Sequence, residues 1–271
     1  RRLSRVLTGC RRMYREPILD LSFEDIVGYR VAGASRDALV GGTMGYLAER
    51  AGGCRYFACL NPHAVEVAAD DPGFAAALRA ADYLTPDGIG VVYASKLLGG
   101  SLRDRVTGME IFEGLSGAMN QAGGLSCFFL GSTTETLEKI RLTMNERYPA
   151  GRVAGTYSPP FRPEFTAEDN DRMVAAVNES GADVLWIGLT APKQEKWIYA
   201  QRDRLDVRFA GPIGAAFDFF VGNIHRVGPF WQNLGFEWLT RLLQEPRRLW
   251  RRSLVSAPRF FYRTLRYRGN K

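Results

Sequence analysis

The amino-acid sequence predicts an α/β fold, a mostly parallel sheet flanked by helices, followed by a basic, all-helical C-terminal appendage. Three observations lead there. Short apolar runs alternate with helical patterns through most of the 271 residues, the signature of a parallel sheet wrapped by helices. After Gly228-Pro229 the pattern changes to helices alone. Positive charge gathers in that last stretch: from Pro229 to Lys271 nine Arg and one Lys stand against Glu237 and Glu245, a net +8, which leaves −1 for residues 1 to 228.

In chain order, Asp25 to Val31 reads as the first strand and Ser35 to Ala51 as the first helix. Arg55 to Leu60 is an apolar strand, and the pattern from Pro62 to Ala80 is a single helix opened by Pro62. The short run Ala81 to Leu84 leads into a turn and the helix Gly88 to Leu98. Helix Glu110 to Gln121, strand Ser126 to Leu130, helix Thr133 to Arg147 and strand Arg152 to Tyr157 follow. Ser158-Pro-Pro-Phe-Arg-Pro is a loop, because proline is excluded from sheet and helix interiors, and it follows a strand's carboxyl end, where open α/β sheets bind ligands. Thr166-Ala-Glu-Asp has the spacing of a capping box at the start of helix Thr166 to Glu179, which Ser180-Gly181 ends. Strand Asp183 to Ile187, helix Pro192 to Arg202 and strand Val207 to Ala210 complete a Rossmann-like core.

The domain division is an extension over 1–23, the core over 24–228 and the appendage over 229–271. In the appendage Trp231, Leu234, Trp238 and Leu242 repeat at helical spacing, and Pro246 starts a second helix. There Arg247, Arg248, Arg251 and Arg252 take one side while Leu249, Trp250 and Leu254 take the other. A third helix aligns Arg259, Arg263 and Arg266 beside Phe260, Phe261 and Leu265.

Composition removes several classes. With 46% hydrophobic and 24% charged residues the chain is neither disordered nor collagen-like. Cys10, Cys54, Cys59 and Cys127 form no C-x-x-C pair, and His63 and His225 lie far apart, so zinc spacings are missing and a reducing compartment is expected. No apolar run approaches the roughly 18 residues that cross a bilayer, and residues 1–16 carry no apolar stretch of signal-peptide type. The sequence therefore predicts neither a spanning helix nor export by that route. The charged tail points to a phosphate-rich partner: nucleic acid, an anionic membrane surface or a diphosphate substrate.

The chemistry-bearing motifs sit at strand ends. In Thr85-Pro86-Asp87-Gly88-Ile89-Gly90 the Asp87 carboxylate stands before a helix start and is either a general base at a cleft edge or the cap of an ordinary turn. Asn61, between Leu60 and Pro62, either binds a sugar hydroxyl or caps the helix. Cys59 and His63 read as packing rather than as a nucleophile pair, since no third orienting group is evident. Arg105, Thr107 and Gly108 precede a helix and form either an anion site or a cap beside solvated arginines. Gln194 and Glu195, after Gly188-Leu-Thr190-Ala-Pro192, offer amide and carboxylate contacts to a polar ligand or supply first-turn charge. Gly211-Pro-Ile-Gly214-Ala-Ala-Phe217-Asp218 allows close backbone approach to a ligand or tight helix packing. Asp169-Asn-Asp171 has metal-binding D-x-D spacing but lies in a helix's first turn, where acids are expected. Neither a G-x-x-x-x-G-K-[ST] loop nor a G-x-G-x-x-G turn between strand and helix is present, which weakens NTPase and dehydrogenase readings.

In their order and wording these blocks resemble the WecG/TagA/CpsF family of bacterial glycosyltransferases, from about residue 24 to 268. The specific stretches are Leu60-Asn61-Pro62, Thr85 to Val92, Arg105-Val-Thr-Gly108, Ala191-Pro-Lys-Gln-Glu-Lys-Trp197, Gly214 to Phe219 and Glu237 to Arg248. The resemblance implies an inverting transfer, independent of metal and cofactor, from a UDP-sugar to a polyprenyl-diphosphate-linked saccharide in extracellular or wall polysaccharide synthesis. It places the catalytic base on Asp87. Cys59, Asn61, Arg105, Thr107, Gly108, Gln194 and Glu195 fall in the substrate site, with Cys59 where the family pattern carries Thr and Glu110 where it carries Asp. Arg241, Arg247, Arg248 and Arg251 are expected at the diphosphate. The implied setting is cytoplasmic, peripheral on the inner face of the bacterial plasma membrane, with anionic lipid as a partner, no nucleic acid, and self-association left open. A non-catalytic membrane adaptor and a nucleic-acid binder are the competing classes.

Overall fold

The computed structural model describes residues 21–49, 52–223 and 250–269. The strands are β1 (Phe23–Ile26), β2 (Tyr29–Ala32), β3 (Arg55–Leu60), β4 (Tyr83–Pro86), β5 (Ser126–Gly131), β6 (Arg152–Tyr157), β7 (Val184–Gly188) and β8 (Phe209–Pro212). The helices are α1 (Arg36–Glu49), α2 (Pro62–Asp70), α3 (Pro72–Ala80), α4 (Ile89–Leu97), α5 (Gly108–Ala122), α6 (Thr134–Arg147), α7 (Ala167–Glu179), α8 (Lys193–Gln201), α9 (Ala216–Phe220) and α10 (Ala257–Gly269). They form one sheet in the order β1-β2-β4-β3-β8-β7-β5-β6, parallel throughout except for β1 against β2. The expected fold class is what the chain adopts.

Alternation along the central strands sets the layers. Phe57 and Cys59 face one side with Tyr83, Phe129, Trp186 and Phe209, where α1, α5, α6 and α9 cover them. Tyr56, Ala58 and Leu60 face the other, covered by α2, α3, α4, α7 and α8. Asp82 pins the starts of β3 and β4: its carboxylate pairs with Arg55 Nη1 at 2.8 Å and accepts from the Tyr56 N–H at 2.9 Å. Asp183 does the same for β5 and β7, accepting from the Ser126 N–H and from Arg208.

The structure corrects two expected elements. The first strand is a hairpin, because Val27 and Gly28 both take positive φ, 48° and 86°, and turn the chain within the apolar run. The helix expected over 62–80 is two. Asp71 closes α2 and caps α3, accepting from the Phe74 N–H at 2.9 Å, and Pro72 takes the first position of α3, where its missing N–H costs nothing.

Of the expected appendage, the residues from Trp231 to Leu249 lie outside the described residues. The last segment does not stand apart. A π-helical turn, Arg251–Ser256, runs into α10, which packs on α2 and α4 through Phe260, fully buried in their cluster. Arg263 pairs with Glu66 of α2 at 3.0 Å, and Tyr267 donates to Asp25 at 2.8 Å. Among the described residues no helix is long and apolar enough to cross a membrane.

Candidate active site

The helices after β3 and β8 leave toward opposite faces of the sheet, so a crevice opens between the carboxyl ends of these neighbouring strands. Most of the polar residues singled out in the sequence border it. Asn61 ends β3 and caps α2, its Oδ1 accepting from the Ala64 N–H at 2.9 Å. The other side of the same carboxamide, Nδ2, reaches Asp87 Oδ2 at 3.4 Å. Asn61 therefore does both things its position allows.

Asp87 ends β4, held by its own N–H on the Leu60 carbonyl at 2.8 Å. It does not cap the helix that follows. Gly88, at φ 108°, is the N-cap residue of α4 and provides no side-chain bond, so the Asp87 carboxylate stays half-buried at the crevice edge. A glycine at that φ lets the chain turn sharply there without strain.

Cys59 lies under this pair, partly buried, and accepts a hydrogen bond from Thr85 Oγ1 at 3.4 Å. Burial pushes its thiol well above the ordinary range, and the negative charges of Asp87 and Glu195 push in the same direction. Gly108 closes the floor: a Cβ there would stand 3.2 Å from Cys59 Sγ and 3.5 Å from Ile213 Cγ2.

The stretch from Arg103 to Val106 is tied to the end of β4 by the Val106 N–H on the Pro86 carbonyl at 2.9 Å, which sets half-buried Arg105 beside the residue preceding Asp87. Thr107 is a cap. Its N–H and hydroxyl both donate to Glu110 Oε2, at 2.7 and 2.8 Å, in a full capping box, so Glu110 itself supplies the anion that satisfies the Thr107 N–H.

Gln194 and Glu195 lie in the first turn of α8, 5% and 4% exposed. Gln194 Nε2 donates to Glu195 Oε1 at 2.9 Å, while Gln194 Oε1 and Glu195 Oε2 are buried without hydrogen-bond partners. Burial pushes the Glu195 carboxyl up from 4.5 to about 7. Orphaned buried oxygens are costly and call for a partner, an ordered water or a ligand group. Lys193 donates to the Arg162 carbonyl at 2.5 Å and lies 3.5 Å over the Phe165 ring, which fastens the proline-rich loop after β6 to the same helix start.

Other sequence candidates go elsewhere. His63 bonds Ser256 Oγ at 2.9 Å through Nδ1. Asp169 completes a capping box with Thr166 and pairs with Arg162, and Asp171 pairs with Arg204 at 2.6 Å, so each acid of the D-x-D spacing is engaged separately. Arg241, Arg247 and Arg248 lie outside the described residues, as does the side chain of Arg251. Thr85 was not singled out in the sequence: a buried strand Thr gives no signal until its neighbour is known. A cleft of about 550 Å³ opens at the opposite, amino-terminal edge of the sheet, lined by Arg152, Asp183 and Arg208 among others. There the Asp183–Arg208 pair holds the starts of β5 and β7, so the strand-end crevice is the candidate site.

Residues 24–271 match the family model described as the glycosyl transferase WecG/TagA/CpsF family. A relative from Bacillus spizizenii, named N-acetylglucosaminyldiphosphoundecaprenol N-acetyl-beta-D-mannosaminyltransferase, is 32% identical over 211 residues, covering 76% of this chain and 77% of its own length. A protein of the same name from Bacillus subtilis strain 168 is 28% identical over 212 residues, covering 78% of this chain and 79% of its own.

Proposed function

The chain belongs to the WecG/TagA/CpsF family of glycosyl transferases, and from that membership we propose that it transfers a hexosyl or N-acetylhexosaminyl group from a UDP-sugar to a polyprenyl-diphosphate-linked saccharide, with inversion at the anomeric carbon. The names of the relatives supply the acceptor class, an N-acetylglucosaminyl group on a polyprenyl diphosphate. The reaction belongs to polysaccharide assembly at a membrane.

The observation that carries the reading is the Asp87 carboxylate at the crevice edge, beside Asn61 Nδ2 and unused as a helix cap. In the proposed step Asp87 takes the proton of the acceptor hydroxyl as that oxygen bonds to the anomeric carbon. The bond from this carbon to the β-phosphate oxygen breaks on the opposite face, and UDP leaves with the electron pair. Guanidinium groups suit the growing negative charge because they bind phosphate oxygens two at a time. Arg105 provides one from the core, and Arg241, Arg247, Arg248 and Arg251 are the proposed tail contributors. Asn61, Cys59, Gly108 and Gln194 border the space for the sugar and nucleotide.

Asp87→Asn keeps the shape and removes the base. Transfer, followed as UDP release in detergent or lipid with a short-chain prenyl-diphosphate saccharide, should fall by roughly 10²–10⁴, while UDP binding by calorimetry stays within about twofold of wild type. Transfer at near wild-type rate would remove Asp87 from the mechanism. Liposome binding indifferent to UDP-sugars, with no turnover of any, would favour a membrane adaptor instead.

A further inference from the structure

Neighbouring side chains on a helix point apart, so a direct bond between residues i and i+1 is a specific arrangement. Gln194 and Glu195 make one, buried, at 2.9 Å. It uses the donor end of the carboxamide and leaves the acceptor end, Oε1, without a partner. The end of the carboxamide lies against Gly214, which follows β8 at φ 52° and where a Cβ would stand 3.4 Å from Oε1 and 3.5 Å from Nε2. A bare backbone position thus stands over the end of the Gln194 carboxamide.

We propose that Glu195 is a positioning residue: its carboxylate locks the Gln194 carboxamide with Nε2 engaged and Oε1 left over, as a fixed acceptor for an O–H or N–H of the sugar or nucleoside. The ligand in this inference rests on the UDP-sugar reading above; the lock does not. A carboxamide turned by half a revolution exchanges donor for acceptor. Against an ionised Glu195, that turn would set two oxygens 2.9 Å apart with no proton between them. A free glutamine has no such preference and would spend part of its time offering an N–H. A substrate without the matching donor would leave Oε1 buried and unpaired, the condition under which binding sites discriminate most sharply.

The test uses the full chain at pH 8, where Glu195 is ionised, its carboxyl being pushed by burial only to about 7. Glu195→Leu should raise the KM for the UDP-sugar about tenfold with kcat within about twofold. Glu195→Gln, whose carboxamide can turn and donate as well as accept, no longer fixes Gln194 and should raise the KM toward that of Glu195→Leu. Gln194→Leu should match Glu195→Leu, and the double variant should be no worse than either, because the two act as one unit. An unchanged KM in Glu195→Leu, additive effects, or a Glu195→Gln with the KM of wild type would each overturn the proposal. The side-chain NH₂ signals of Gln194, assigned by their loss in Gln194→Leu, give a readout independent of turnover. They should be well separated and slow to exchange in wild type, and collapse toward a free amide in Glu195→Leu. If wild type turns over no UDP-sugar, the functional reading fails, while an unaltered Gln194 amide in Glu195→Leu still rejects the lock.

Discussion

A single buried carboxyl shows how the site bears on stability. Burial pushes Glu195 from 4.5 to about 7, so the folded chain holds its proton more tightly than the unfolded chain. Its favourable state is present in full below the unfolded value and is lost as pH rises through the folded one, a change of about 3 kcal/mol at most. Glu195→Gln cannot ionise and escapes this loss. The variant should therefore gain on wild type between pH 4.5 and 8, by up to about 3 kcal/mol in urea unfolding; a constant difference across that range would show that Glu195 does not ionise against burial. Residues of this kind were unevenly legible in the sequence. Asp87 and Asn61 stood out because Pro86-Asp87-Gly88 and Asn61-Pro62 are turn and cap signals at the ends of apolar runs. The Gln194–Glu195 bond was not legible, since sequence adjacency on a helix argues against contact. Nor could the sequence choose between the readings of Thr107, because the choice depended on where the Glu110 carboxylate came to rest.

At the scale of elements, β3 has the bounds read from its apolar run, because a strand buried in a parallel sheet announces itself by hydrophobicity alone, and β6 has its read bounds although it is the half-exposed edge strand. The missed hairpin has the opposite cause: a β-branched residue at positive φ, Val27, runs against turn chemistry, so Gly28 alone marked the reversal. Pro72 did mark the split between α2 and α3, and the apolar pattern running through it hid the signal. A further element matters for the site. Glu24 of β1 accepts from Ser95 Oγ, Ser101 N–H and Ser101 Oγ and so holds the loop that leads to Arg105. Burial alone would raise the Glu24 carboxyl, but these bonds outweigh it and hold the group below 4.5. Gly100 is required there, since a Cβ would come within 2.0 Å of Glu24 Oε2. Gly100→Ala should displace that carboxylate, lower stability by about 1–3 kcal/mol, and raise the KM for the UDP-sugar as Arg105 loses its support. A melting temperature and KM equal to wild type would show that the loop is held by other contacts.

Across the whole molecule, the position of the last helix relates the charged tail to the crevice. His63 is two residues beyond Asn61, and its bond to Ser256 brings the Arg251–Ser256 turn to the end of the sheet where the site lies. From there α10 runs down α2 to Asp25, its buried side fixed by Phe260 and Thr264. What it leaves outward is mixed: Tyr262 at 64% and Leu265 at 54% exposure, with exposed Arg259 and Arg266 among them and Leu254 just before. Such a face suits the headgroup layer of an anionic bilayer, which attracts each basic residue by roughly 1 kcal/mol and holds aromatic rings at its boundary. The proposed acceptor keeps its lipid in the bilayer, so the enzyme has to work at that surface, with the crevice end reached by the same chain segment. Full-length chain should bind vesicles containing anionic phospholipid and release them as salt shortens the screening length to a few ångströms. Arg259→Gln with Arg266→Gln should weaken that partition by roughly 30-fold, two basic residues' worth, and leave the melting temperature unchanged, because both side chains are exposed. Equal binding of neutral and anionic vesicles, or a double variant that partitions like wild type, would mean that α10 meets the membrane by another face or not at all.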